Sequence, residues 1–477
     1  MTRDEADLTE GFEVPVGVTT PEDLEDLALG DDYALNAEYV ELVIDAADRG
    51  DDERLRELVG ALRSEDVADL MGFLTADYRE QVIPQLDAET LGEVLSELDT
   101  NLREEVMDSV PSTTLARALE EMDSDDAVDL VEDLEDDRRA QVLAAMDQED
   151  RDAIVTALKY ADETAGRLMQ RDLMAAPSFW TVGQTIDHIR ASSDDLPELF
   201  FDVYVIDPSH KPTGAVPVSM LLRAQRDQHL AEIMEPVTEI DVDMDQEEVA
   251  YIFDKYHLIS APVIDSGGRL VGQITVDDIV GVIQEESEED ILALAGVSDA
   301  GRDATIWGIA RSRLPWLVVN TLTAAIAASV IGAFQNEISK ILTLAILMPI
   351  VASLGGNAGT QTLAVAVRAL ASRELNASNA MRIVWRELGV GLLNGAVLAS
   401  IMALAVFLFF RDPLLCLTIG LALVINLFIA SMAGILVPLA LDRLGRDPAV
   451  SSSVFVTFLT DFMGFLSFLG LAAIILL

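Results

Sequence analysis

Apolar positions along this chain change their spacing three times, and each change predicts a different kind of structure. Over residues 33–165 they fall in a helical i, i+1, i+4 pattern that repeats. The segment from Val67 (VADLMGFLTADYREQVIPQLDAET) aligns with the segment from Leu91 (LGEVLSELDTNLREEVMDSVPSTT) at a spacing of 24. Leu70, Met71 and Leu74 map onto Val94, Leu95 and Leu98, then onto Ala118, Leu119 and Met122, then onto Val142, Leu143 and Met146. Each repeat predicts two short helices whose apolar faces need neighbours, hence an all-α solenoid of stacked helices. Such an arm serves either as a moving regulatory element or as a passive scaffold, and the repeat does not choose between them.

From residue 170 to 286 the period shortens. Strand-like runs at Phe201 to Ile206, Ala261 to Ile264 and Leu270 to Ile274 alternate with helical runs such as Glu247 to Tyr256. The phrases RDLMAAP (171–177) and AEIMEPV (231–237) open two half-copies, and VIDPSHKPTGAV and VIDSGGRLVGQI follow as strand, turn, strand. A duplicated α/β unit of about 60 residues is predicted. The phrase PVIDSGGRLVGQITVDD, Pro262 to Asp278, resembles the second half of a tandem pair of CBS domains. The resemblance implies an adenine-nucleotide site, with Thr275 and Asp278 on the ribose and ATP as the ligand. The first copy departs from that pattern, with Pro217-Val218-Ser219-Met220 where Thr-x-x-Asp would stand, so only one half-site is intact.

The last third is apolar almost throughout. Five stretches, about 315–335, 341–371, 388–410, 414–441 and 450–477, each reach the roughly 20 residues that span a bilayer. The second carries PIVASLGGNAGTQT (349–362), too many breakers for a plain helix, which predicts irregular backbone lining water or a tight packing seam. Asp461, in VFVTFLTDFMGF, is the acid that lies well inside a span, eleven residues after Val450 or about 16 Å. A carboxylate at that depth costs at least about 3 kcal/mol on insertion scales. Lining a cation pathway explains it best; a protonated, hydrogen-bonded or boundary Asp is the plainer reading, and no Lys, Arg or His lies within a span core to pair with it except Arg368 near the end of the second.

Charge sharpens this division. Residues 1–300 hold 75 of the 83 acidic and 20 of the 31 basic residues, so a polyanion precedes a nearly neutral membrane part. Nucleic acid is excluded as a partner, because its phosphates require clustered Lys and Arg. The four lysines, Lys159, Lys211, Lys255 and Lys340, are few. Most of the acid therefore reads as solvation in a very salty cytoplasm, with a few carboxylates left to bind cations. The run QEESEEDILALAGV (284–297) is such a cluster, or merely the solvated start of a helix. Cys416 is the sole cysteine, so no disulfide framework forms within the chain. The opening MTRDEADLTEGFE has no basic n-region or apolar h-region, which places the amino end in the cytoplasm, and residues 1–32 are expected to be disordered. Eight arginines (Arg311, Arg313, Arg368, Arg373, Arg382, Arg386, Arg443, Arg446) then lie inside against Lys340 and Arg411 outside, with the carboxyl end outside. The four histidines all precede residue 300, so the spans hold no His base or zinc cluster and an enzyme is disfavoured.

The motifs RLPWL (313–317), PIVASLGGNAGTQT (349–362), GLLNG (391–395), NLFIASMAGILVP (426–438) and TDFMGF (460–465), in this order behind the repeats and the CBS pair, resemble the MgtE magnesium channels over residues 35–477. The resemblance implies a multi-domain chain: a helical-repeat regulatory domain at 33–165, tandem CBS domains at 166–284, a connecting plug helix at 285–312 and five spans at 313–477. It implies a homodimeric, Mg²⁺-selective channel of the plasma membrane whose pore forms at the dimer axis from the second and fifth spans. Asp461 would take the ion-binding role, with the Thr457 backbone carbonyl one turn before it and Gly464 one turn after it keeping the passage wide. Gly355, Gly356, Asn357, Thr360 and Asn426 would line the pore. Cytoplasmic Mg²⁺ would close it by bridging carboxylates drawn from Asp265, Asp277, Asp278, Glu285, Glu286, Glu288 and Glu289. An exchanger of another cation for Mg²⁺, or a membrane sensor built on the CBS pair, is the competing expectation.

Overall fold

A computed structural model of the chain describes residues 24, 27–30, 34–192, 196–197, 199–294, 297, 306–373, 375 and 379–477, without the side chains of Asn101 and Ser451. The chain divides into two compact units, residues 1–282 and 283–477.

In the first unit, helices Ala37–Arg49 and Asp52–Val59 lead into eight more that begin at Ser64, Ala76, Ala88, Thr100, Ser112, Ser124, Asp136 and Gln148. The starts are twelve residues apart, so each 24-residue repeat holds two short helices, as expected. Leu70, Val82, Val94, Val106, Ala118, Leu130, Val142 and Ile154 occupy the same place in successive helices, and all are buried in one continuous core. Helices of about ten residues are too short to persist alone, so this shared core carries their stability. Leu24 and Ala28, within the segment expected to be disordered, are buried in the same core; most of residues 1–32 lies outside the described residues.

Short helices expose many orphan carbonyls at their C-terminal ends. Arginines of later helices satisfy them. Arg79 Nε donates to Met71 O at 2.8 Å, Arg103 Nη2 to Ser96 O at 3.3 Å, and Arg139 Nε to Val131 O at 2.9 Å. The same guanidinium groups reach carboxylates, Arg79 to Glu105 at 3.0 Å and Arg103 to Asp129 at 2.7 Å.

The CBS pair forms two three-stranded sheets. β1 (Ala175–Pro177), β2 (Asp202–Ile206) and β3 (Pro212–Pro217) make the first; β4 (Ile240–Asp241), β5 (Ser260–Ile264) and β6 (Leu270–Thr275) make the second. In each, the first pairing is parallel and the second antiparallel, with a register shift at Val205/Ile206 and again at Val263/Ile264. The expected strand runs are thus found, and the duplication extends to the irregularity. The copies are clasped by a buried chain in which Tyr204 Oη donates to Ser260 Oγ at 3.0 Å and Ser260 Oγ to Asp202 Oδ2 at 2.8 Å.

A helix from Val276 to Leu294 follows β6 directly. The connecting helix therefore starts at the end of the last strand rather than at residue 285. Of residues 295–305 only Val297 is described, and residues 306–312 already belong to the first membrane helix.

Five helices of the second unit are long and apolar enough to cross a membrane: Ile306–Ala333, Thr343–Ala371, Ala380–Phe410, Pro413–Arg443 and Pro448–Ile475. The protein is a multi-pass membrane protein. The second span corrects an expectation, because it is one continuous helix that includes Pro349. Its glycines are used for close approach, not for unwinding. A Cβ at Gly355 would fall on the Asn426 amide, and one at Gly359 would lie 2.7 Å from Val456 Cγ1.

Candidate ion pathway and cytoplasmic acids

The second and fifth spans pack against each other, and each carries two stripes spaced four residues apart. On the second span Val351, Gly355 and Gly359 are buried, while Ser353, Asn357 and Gln361 form an exposed stripe beside them. On the fifth, Ser452, Val456, Thr460, Gly464 and Phe468 are buried, while Ser453, Thr457 and Asp461 form the adjacent, partly exposed stripe. Asp461 makes no hydrogen bond or ion pair with any described residue. Arg368 is exposed in the last turn of the second span and does not pair with it. Thr360 is exposed on the same side as Asn357, but its hydroxyl is spent on its own helix, on Gly356 O and Asn357 O.

Two residues expected along the pore sit elsewhere. Asn426 is fully buried in the fourth span, where its Nδ2 donates to Val351 O at 2.8 Å. Gly464 belongs to the packing stripe of the fifth span, and a Cβ there would lie 2.9 Å from the same Asn426 amide. At 3.6 residues per turn, Gly464 is turned about 60° from Asp461 toward the packed side of the helix, and Phe465 continues the Asp461 stripe. Asn426 thus clasps the second, fourth and fifth spans through two glycines. Gly355 is buried in that clasp, whereas Gly356 borders open space.

The acids outside the spans sort into three groups. Asp265 is a turn residue. Its Oδ1 accepts from the backbone N–H groups of Gly267 and Arg269, both at 2.8 Å, and Asp207 does the same for Ser209 and Lys211 in the first copy. Those backbone donors hold both carboxyls below the usual carboxylate range.

Asp278 belongs to the second group. Its Oδ2 accepts from Thr275 Oγ1 at 2.6 Å, so the two residues expected on a ribose hold each other. Burial pushes Asp278 up to about 6, with the neighbouring charges of Asp277 and Asp123 adding to it. Across from it lies the start of the arm helix Ser124–Asp133, whose Ser124 Oγ accepts from Arg171 N at 2.8 Å. Burial and then the charge of Asp278 push Asp126 up to about 7 and raise Asp125 well above the carboxylate range. Asp125 Oδ1 is buried without a hydrogen-bond partner. Asp277 is exposed.

The third group lies in the second unit. Asp290 is raised by burial and then by the charges of Asp447 and Glu286, and Asp447 is the N-cap of the fifth span, accepting from Ala449 N at 2.7 Å. Glu285, Glu288 and Glu289 are exposed on the same helix as Asp290, and Glu288 accepts from Gln284 Nε2 at 3.1 Å. Among the described residues no three His, Cys, Asp or Glu side chains form a ready-made metal cage.

Comparison with known proteins places these parts. Family models match in chain order: the MgtE intracellular N domain at residues 62–163, a CBS domain at 230–285, and MgtE, described as a divalent cation transporter, at 348–471. A Thermus thermophilus protein named Magnesium transporter MgtE is 34% identical over 334 residues, covering 68% of this chain and 73% of that one. The chain belongs to the MgtE family. An Enterococcus faecalis MgtE is similar at 34% identity, covering 66% of this chain and 70% of its own. Among solved structures, the cytosolic domain of the Mg²⁺ channel MgtE in complex with ATP is similar at 30% identity and a TM-score of 0.49, covering 51% of this chain and 99% of that one.

Within the MgtE framework, Asp123, Asp125, Asp126, Asp290 and Asp447 are the residues that sequence reading missed. They sit in acid-rich helix starts that look alike in sequence. Burial singles out Asp125, Asp126 and Asp290, and Asp123 and Asp447 are exposed acids whose charges bear on buried carboxyls.

Proposed function

We propose that this MgtE chain forms a Mg²⁺-selective channel that takes up Mg²⁺ down the membrane potential and is closed by cytoplasmic Mg²⁺. The observation that carries the reading is the pair of uncovered polar stripes on the second and fifth spans. Lipid tolerates exposed Leu and Phe but not Asp461, Asn357 and Gln361, so these faces need water and a second copy of the chain across an axis. A homodimer would bring two Asp461 carboxylates to that axis, with Thr457 one turn toward the start of the span.

Mg²⁺ releases its water reluctantly and prefers octahedral oxygen. A wide passage with a negative field suits the hydrated ion better than a cage. No ATP is required for uptake, because the potential pulls a divalent ion with about 4.6 kcal/mol per 100 mV, twice the single-charge value. The arginine bias places the amino end and both cytoplasmic acid groups on the side where Mg²⁺ would be sensed.

Closure follows from linkage. Docking of the arm helix Ser124–Asp133 against the second CBS copy brings Asp123, Asp125, Asp126 and Asp278 together, and ionised carboxylates oppose it. A hydrated Mg²⁺ relieves that repulsion and supplies the orphan Asp125 Oδ1. Asp290, Glu286 and Asp447 would bind a second cation where the connecting helix meets the pore helix. Asp265 leaves the sensor set, since its turn engages it. Nucleotide at Thr275 and Asp278 would have to break their mutual hydrogen bond first.

The test is Mg²⁺ flux into proteoliposomes at fixed high salt with internal Mg²⁺ set low or high. Fast, potential-driven uptake suppressed by internal Mg²⁺ is expected. Uptake that requires a counter-ion gradient would make the protein an exchanger, and no uptake would make it a sensor.

A further inference from the structure

The first and fifth spans flank an open pocket of about 410 Å³ that shares Ser453 and Thr457 with the proposed pathway and adds side chains of the first span that the pathway does not use. Arg313, Trp316 and Asn320 line it from one face of the first span, at i, i+3 and i+7. Ser453 and Thr457 line it from the fifth span, one turn apart. The polar side chains at its wall are a guanidinium, an indole N–H, an amide and two hydroxyls. All can donate, and no carboxylate is among the lining residues. None of these five side chains has a hydrogen bond or ion pair with another described residue.

We propose that this cavity binds the phosphate of an anionic phospholipid headgroup. A carboxylate-free wall whose polar side chains can all donate, with one permanent positive charge, fits a phosphate, and Arg offers it the planar, paired N–H geometry that phosphate oxygens accept. The place in the membrane points to lipid as the source. Arg313 stands in the second turn of a spanning helix, beside a partly buried Trp316, the residue types that mark the membrane–water boundary. Leu314, Leu317 and Val318 are exposed next to it and offer an apolar track for acyl chains. The proposal does not depend on which ion the protein carries.

The test uses the purified full-length protein. Native mass spectrometry would count retained phosphatidylglycerol against phosphatidylcholine, with inorganic phosphate added as a competitor. Wild type is expected to retain phosphatidylglycerol preferentially, and Arg313→Gln to bind it about tenfold more weakly, the loss of one charge-assisted contact. Arg313→Lys keeps the charge without the planar fork, so a few-fold loss is expected there, and its retention guards against a folding failure in the Gln variant. Displacement by millimolar inorganic phosphate with the same Arg313 dependence would keep the anion site and assign it to free phosphate. Equal retention of phosphatidylglycerol by wild type and Arg313→Gln, or by neither, would overturn the site. So would retention of phosphatidylcholine as strong as that of phosphatidylglycerol.

Discussion

In residues 34–157 buried Leu, Val and Met recur every twelve residues, and the rare arginines are drawn inward to cap helix ends. In residues 306–477 close contacts at Gly355, Gly359 and Gly464 and the buried amide of Asn426 join a core that includes Leu347, Leu423 and Phe468, while other large apolar side chains such as Leu392, Leu404 and Phe409 face outward. The solvent accounts for the inversion. Water drives apolar side chains inward in the arm, so a Leu per helix suffices to hold ten residues. Lipid gives no such drive between spans, so close backbone approach and internal hydrogen bonds take over. Polar groups carry opposite meanings as a result. An exposed Asp is unremarkable in the arm and exceptional in a span, whereas a carboxylate buried against another carboxylate is the informative one in the cytoplasm.

The contrast can be broken most sharply at Asp461. Asp461→Ala is expected to reduce Mg²⁺ uptake to the level of empty liposomes while the protein still purifies as an assembled species; wild-type flux would sink the pathway. Gly355→Ala comes next, with a stability loss of about 1–3 kcal/mol from overpacking against Asn426, read as a drop in unfolding temperature in detergent. Gly356→Ala, one residue on and bordering open space, should shift it by less than about 0.5 kcal/mol. Equal effects would show that the seam does not depend on that contact.

A third, smaller effect lies in the arm. The docked state raises Asp126 to about 7 and Asp278 to about 6, so docking favours their protonated forms. Docking at low Mg²⁺ should therefore weaken as pH rises through about 6 to 7, and added Mg²⁺ should restore it. Energy transfer between labels on the arm and on the CBS pair reads this directly. Asp126→Asn with Asp278→Asn should flatten the pH response; an unchanged profile would place the coupling elsewhere. A small effect is expected at Asp265→Ala, a slight drop in unfolding temperature from a lost turn contact, with Mg²⁺ inhibition untouched. Asp207→Ala should match it, because the two turns are copies.

Much of this was legible from residue order alone. Period and composition separated the solenoid, the duplicated α/β pair and the five spans, because hydrophobic spacing reports directly which faces must leave water. The depth of Asp461 was legible for the same reason. The two helices expected in each 24-residue repeat are found, with Val82, Val106, Leu130 and Ile154 buried in the second of each pair.

What the order of residues determined was which segments cross the membrane and which must stack in water, since both follow from local transfer energies. Tertiary structure alone decided which glycine is a seam and which borders open space, that Asn426 clasps helices, and that Gly464 turns away from Asp461. It also decided which few of 83 acids are forced together. Those properties depend on what a distant segment places within a few ångströms, and no local pattern encodes that.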